Sequence, residues 1–221
     1  MIKRSILFGE YDTAATGLWT LSAWTLSPAK QKTSIVEVPA SDVVLDLSTA
    51  LTGAPRYSPR TLTVTLESSE GDRLARKARI DRMINELDGL KVKIYLPDEA
   101  RRYLVGTLSV QELYNDLAHA SVQVDALCEP WKYNDEETTY TIQAAADEKG
   151  VSIVNSGRLA VVPFVEITDG DVRLRFLTTG ASWTLIPGTY QLPDLYLTPG
   201  THRVRYSGAG KIVIKYREAV L

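Results

Sequence analysis

The chain has 221 residues, a formal net charge of −2, a single cysteine and 44% apolar residues. At this length roughly 70% of the unfolded surface can be buried, so one large β domain or two small ones can carry a core without staples. The balanced charge excludes bulk attraction to nucleic acid or an anionic membrane. The lone Cys128 excludes an internal disulfide, and no stretch approaches the ~18 apolar residues that span a bilayer.

The opening residues are basic with a short apolar run and no small-residue cleavage site, so they do not read as a signal peptide. Strands are expected over 18–26 and 43–47. Leu62, Val64 and Leu66 then alternate with Thr61, Thr63, Thr65 and Glu67, the period of a half-buried strand. Between 70 and 88 the pattern changes. Ile80, Met83, Ile84 and Leu87 fall on one side of a 3.6-residue period, which predicts a helix. Ser69 followed by Asp72 has capping-box spacing, and Gly89 is placed to end the helix. Period two returns at Val92, Ile94 and Leu96, and again at Val122, Val124 and Ala126.

The segment Cys128-Glu-Pro-Trp-Lys-Tyr133 reads as the exit from a first domain spanning 1–133. Pro130 holds Glu129 extended and cannot donate to a ladder. Trp131 and Tyr133 carry large apolar areas, so Pro130, Trp131 and Tyr133 are expected to form a structural hinge with both aromatics at least half buried. The acidic run 134–138 reads as a linker. Beyond it, 138–221 looks like short strands and tight turns, the pattern of a small β-sandwich. Asp169-Gly170 between 164–167 and 172–176 predicts a hairpin. Pro187-Gly188, Pro199-Gly200 and Gly208-Ala-Gly210 mark further turns. The fold class is therefore mainly β, with one long helix.

No chemistry converges in the sequence. His119 and His202 lack ligands at zinc spacing, so no metal or cofactor is implied. Cys128 reads as a small buried hydrophobe. Gly208-Ala-Gly210-Lys211 lacks the earlier glycine and the Ser/Thr of a phosphate loop. Gly180-Ala-Ser182-Trp-Thr184 lacks the second glycine of a nucleophile elbow. Arg73, Arg76, Lys77, Arg79 and Arg82 share their helix with Asp72, Asp81, Glu86 and Asp88, which reads as a solvated, salt-bridged face rather than a DNA-reading one. Trp183, Tyr190 and Tyr196 are candidate glycan contacts, weighed against a role in the core. They define the alternative reading of the chain, a carbohydrate-binding adhesion module.

Several segments in order carry a resemblance. They are Gly17-Leu-Trp-Thr-Leu21, Leu26-Ser-Pro28, Val36-Glu-Val-Pro39 and Leu45-Asp-Leu-Ser48. Further on come Tyr57-Ser-Pro-Arg60, Gly89-Leu-Lys-Val-Lys-Ile94-Tyr and the Pro130-Trp-Lys-Tyr133 element. Over roughly residues 17 to 133 the chain resembles the distal tail proteins of siphophages, the bacteriophages with long, flexible tails. Relatives often carry a glycine-containing turn after the proline, where this chain has Ala40-Ser41-Asp42-Val43. The resemblance implies a non-enzymatic virion protein, made in the host cytoplasm and placed at the distal end of the tail. It implies a sandwich-like N-terminal domain that forms a ring with other copies of itself, usually a hexamer, and a galectin-like C-terminal domain. The implied partners are the tail tube protein and the tail-tip hub protein, with DNA passing through the lumen.

Overall fold

The computed structural model describes residues 5–16, 18–37, 44–50, 53–99 and 101–221. The loop at 38–43 that departs from the resemblance lies outside the described residues. The chain divides into two compact units, Met1–Lys132 and Tyr133–Leu221.

The strands of the first unit are β1 (Leu7–Phe8), β2 (Tyr11–Asp12), β3 (Thr20–Leu26), β4 (Ile35–Glu37), β5 (Val44–Asp46), β6 (Arg60–Ser68), β7 (Lys91–Tyr95), β8 (Arg102–Asn115) and β9 (Ala120–Cys128). Helix α1 (Arg73–Leu87) joins β6 to β7. An antiparallel sheet runs in the order β2-β1-β7-β8-β9-β6-β3. Its register follows from the alternation. Leu62, Val64 and Leu66 oppose Ala126, Val124 and Val122, while Leu108 and Val110 oppose Ala126 and Val124 from the other side. All are buried, whereas a one-residue slip would expose the whole set. On the other face Thr63 Oγ1 donates to Asp125 Oδ1 at 2.7 Å across the ladder.

Helix α1 packs its stripe of Ile80, Met83 and Leu87 on β8 and β9. Each such side chain contributes about 1.5–3 kcal/mol when removed from water. The cap is Asp72 rather than Ser69, and its carboxylate accepts from the Ala75 N–H at 2.7 Å. An ionised acceptor also suits the positive end of the helix dipole. The helix ends at the expected Gly89, whose φ is +76°. The Gly89 N–H donates to Leu108 O at 2.9 Å, and the Val110 N–H donates to Asp88 Oδ1 at 2.8 Å, so the last turn is tied to β8. The basic face is only partly solvated. Lys77 pairs with Asp81 and Glu112, and Arg82 with Glu86. Arg76, by contrast, is 1% exposed. Its guanidinium donates to the carbonyls of Gly71, Asp116 and Leu117, pinning the turn between β8 and β9 to the helix start.

Strand β10 (Lys132–Asn134) spans the boundary and pairs with β19 (Ala219–Val220). The other strands of the second unit are β11 (Thr138–Gln143), β12 (Lys149–Asn155), β13 (Phe164–Thr168), β14 (Val172–Phe176), β15 (Ser182–Leu185), β16 (Gly188–Gln191), β17 (Gly200–Gly208) and β18 (Lys211–Tyr216). They form two four-stranded sheets, β11-β18-β13-β16 and β12-β17-β14-β15. Between them lies one core built from Ile142, Ile153, Val165, Leu174, Phe176, Val204, Ile212 and Ile214. The pairing is nested, since β11 takes β18, β12 takes β17, β13 takes β16 and β14 takes β15.

One expected hairpin is absent. β13 and β14 flank Asp169-Gly170 but lie in different sheets. Asp169 and Gly170 do adopt positive φ, at +63° and +137°, yet they turn a corner rather than fold a strand back on its neighbour. The reason is the backbone of the β17–β18 corner. A Cβ on Gly210 would lie 2.3 Å from Gly170 O and 2.8 Å from Thr168 O. The two corners therefore stack backbone against backbone, which only glycine permits.

The acidic run after Tyr133 is not a free tether. Arg217 donates to the carbonyls of Asn134 and Asp135 and pairs with Glu137. The Asn134 N–H donates to Glu218 O at 2.9 Å. This segment belongs to the second unit, which begins at Tyr133, ahead of the expected 138.

Candidate functional site

The most unusual feature is an arm continuing from β3 and β6. Beyond the β3–β6 ladder the two chains remain paired. The Ser27 N–H donates to Thr61 O, Gln31 bridges Tyr57, the Lys32 N–H donates to Arg56 O, and β4 pairs with β5. Ser48 sets its outer register. The Ser34 N–H donates to Ser48 Oγ at 2.9 Å, and the Ser48 N–H donates to Asp46 Oδ1 at 2.9 Å. The Ser48 hydroxyl and N–H hold the Asp46 carboxyl below its ordinary range.

Every residue of β4 and β5 is exposed. Ile35, Val36, Val44, Leu45 and Leu47 are 43–59% exposed. Such a ribbon has no core of its own, and an isolated two-stranded hairpin is at best marginal in water. Contiguous exposed apolar side chains on it mark an interaction surface.

Around the expected hinge, Trp131 is partly buried and meets the Tyr57 ring edge to face, with centroids 5.4 Å apart and planes at 79°. Lys132 pairs with Glu99. Pro130 and Tyr133 are also partly buried, and Tyr133 is the middle residue of β10. The segment is held from several directions rather than loose.

The glycan candidates do not converge. Trp183 on β15 and Tyr190 on β16 sit in different sheets and pack against the core. The Tyr190 hydroxyl donates to Ile186 O at 2.9 Å. Tyr196 lies outside the strands and is 41% exposed. His202 is buried beside Phe176, with Nε2 2.7 Å from Thr198 O and Nδ1 3.2 Å from Thr178 Oγ1. A carbonyl only accepts, so Nε2 carries a proton and the ring is a satisfied core polar group. His119 is exposed, and its N–H donates to Asp116 Oδ1 at 2.7 Å. Cys128 is 1% exposed, and burial pushes its thiol up to about 11. Among the described residues no group of His, Cys, Asp and Glu is placed to hold a metal ion.

Two features escape sequence reading. The exposure of Ile35, Val36, Val44 and Leu45 is invisible to it, because apolar alternation reads equally as a core strand. The pairs Arg173/Arg175 and Arg203/Arg205 were legible as Arg-x-Arg at strand period. Only the register reveals that they are neighbours, with Arg175 directly opposite Arg205.

No family model matches the chain, and no curated protein does either. Among solved structures it is similar to the SPP1 Dit (gp 19.1) protein, presented as a paradigm of the hub adsorption apparatus in phages that infect Gram-positive bacteria. The TM-score is 0.72 over 96% of this chain and 98% of that one, at 14% identity. The likeness shows a shared, mainly β fold along nearly the whole of both chains.

Proposed function

We infer that the chain is a structural subunit of the distal end of a bacteriophage tail. In this reading copies of it close into a ring, a hexamer being the expected number. The ring joins the tail tube protein to the tail-tip hub protein and lets DNA pass. The observation that carries the reading is the end-to-end fold likeness to a phage hub protein, at a TM-score of 0.72. The role is assembly rather than catalysis, and the finished protein resides in the virion.

The exposed arm supports self-assembly. A closed ring needs heterologous contacts, in which one patch meets a different patch on the next copy. The β4–β5 ribbon offers apolar side chains that stay exposed among the described residues of its unit. It thus serves as the donor patch, with the neighbouring copy as acceptor. The second unit then docks other tail-tip components. A lumen that passes DNA should not hold it, and a chain at −2 meets that requirement better than a basic one.

The test is the size of the particle. Light scattering and negative-stain images of the purified protein should show rings, alone or with the hub protein. Val36→Asp with Leu45→Asp should leave only monomers while both units keep their melting transitions. Persistent monomers of the unaltered chain at high concentration, with tube and hub proteins present, would sink the reading.

A further inference from the structure

The outer face of one sheet of the second unit concentrates positive charge. On β17 and β14 the strand period turns His202, Val204, Leu174 and Phe176 inward and Arg203, Arg205, Arg173 and Arg175 outward. Register places Arg205 directly opposite Arg175. Arg203 lies one step along β17 in one direction, and Arg173 one step along β14 in the other. Alternate residues on a strand are about 7 Å apart. The four guanidiniums therefore make a line of three rows, with the middle row doubled.

This charge is segregated rather than bulk. The second unit carries nine basic and ten acidic residues, yet four of the nine share this face. Arg205 pairs with Glu148 at 3.1 Å. The guanidiniums of Arg173, Arg175 and Arg203 have no ion pair or hydrogen bond among the described residues. Like charges directly opposite on a ladder are destabilising, so the arrangement works against the fold unless an anion joins it.

The surface is also shaped. A shallow groove of about 510 Å³ is lined by Gly150, Ser152, Arg203 and Arg205. A second, of about 480 Å³, is lined by Arg173, Arg175, Ser182, Arg205 and Ser207. They meet at Arg205 and its ion-pair partner Glu148, whose carboxylate lines both. Glycine and serine beside the arginines leave the guanidiniums accessible, and the hydroxyls add donors.

We propose that this stripe is a binding site for a linear polymer that bears a phosphate on each repeat. The two charged oxygens of a phosphodiester point apart from a tetrahedral phosphorus, so two guanidinium forks can approach it from different sides, and Arg forks suit phosphate recognition. The opposed Arg175 and Arg205 suit one phosphate held between two forks. Arg203 and Arg173 take the phosphates before and after it. A neutral sugar would want an exposed aromatic plane, and no aromatic side chain lines either groove. The proposal does not rest on the tail reading above.

The experiment titrates the full chain with inorganic polyphosphate at several salt concentrations. Binding should weaken with salt at a log–log slope of about −2 to −3, near 0.7 per phosphate contact on a flexible chain. Arg175→Ser and Arg205→Ser should each weaken binding about tenfold and shallow the slope by about one contact. Arg175→Ser should melt no lower than the parent chain, because it removes a repulsion and no ion pair. Glu148→Gln should tighten binding, since its carboxylate competes for Arg205. Tighter capture of oligo-dT than of poly(glycerol phosphate) would support the site with nucleic acid as the source. The reverse would support it with a surface polymer as the source. Poly-L-glutamate bound as tightly as the phosphate polymers would overturn the proposal in favour of an acidic protein segment. So would arginine variants that leave polyphosphate binding unchanged.

Discussion

Replacing Arg76 by methionine tests whether a buried charge is part of the first unit's frame. Methionine fills much of the same volume and cannot hydrogen-bond through its stem. The change removes donation to the carbonyls of Gly71, Asp116 and Leu117. Hydrogen bonds from a charged donor contribute about 1.5–3 kcal/mol each. Two effects reduce the total. Folding no longer strips water from a guanidinium, which costs several kcal/mol. The three deserted carbonyls also belong to exposed residues, so water can replace the lost donor. The balance is a destabilisation of about 2 kcal/mol, or roughly 6 °C on the first unit's melting transition at ~3 °C per kcal/mol. Calorimetry resolves it if the two units melt separately. Hydrogen exchange at Ala118 and His119, whose N–H groups donate to Asp116 Oδ1, should quicken along with it. Arg76→Lys should recover less than half, because an ammonium cannot span the fork. A change below 0.5 kcal/mol for Arg76→Met would refute the reasoning.

The remaining predictions concern close contacts and titration. A Cβ on Gly106 would lie 2.8 Å from Cys128 Sγ, so Gly106→Ala should cost about 1–3 kcal/mol by overpacking. Adding Cys128→Ala should return at least half of that in a double-mutant cycle; simple additivity would show that the contact is not the cause. Because burial raises the Cys128 thiol from 9.0 to about 11, the folded protein holds a proton that the unfolded chain releases. That contribution to stability is full below pH 9 and is lost as pH rises towards 11. Ellman's reagent at pH 8 should accordingly react slowly with the native chain and fast in urea. Gly210→Ala forces a Cβ to 2.3 Å from Gly170 O and should cost the second unit about 3 kcal/mol or more. The first unit's transition should stay in place, and a joint shift would mean that the two units unfold together.

Much of this fold is legible because period and burial coincide. Leu62, Val64 and Leu66 alternate with threonines whose β-branched side chains suit a pleated surface, and β6 covers all of them. Ile80, Met83 and Leu87 likewise name the face that α1 buries. What stays hidden is the choice of partner. Asp169-Gly170 announces positive φ, and the structure has it. Local chemistry does not say whether the next strand pairs with the last one or crosses to the opposite sheet. Charge misleads similarly at Arg76, where four neighbouring cations and several acids suggest solvent, while backbone carbonyls enclose this one side chain. In the arm, Val36 and Leu45 look like core residues in sequence. Only the structure reveals their exposure among the described residues.

The nested pairing of the second unit bears on how it reaches its native state. Strands β11 to β18 are one long hairpin, doubled over, whose tip is β14–β15. The tip has the least chain to close, since Arg173 meets Thr184 over a short loop and short loops close at little entropic cost. Each later pair spans more chain, until Ile142 meets Ile212. A growing chain can form the tip early, but β11 stays unpaired until residues 211–216 are made. Pairing dominated by distant partners folds in the millisecond-to-second range, and its open strands are exposed to mispairing meanwhile. Thr139, Thr141 and Gln143, alternate residues of β11, keep that waiting strand polar on one side.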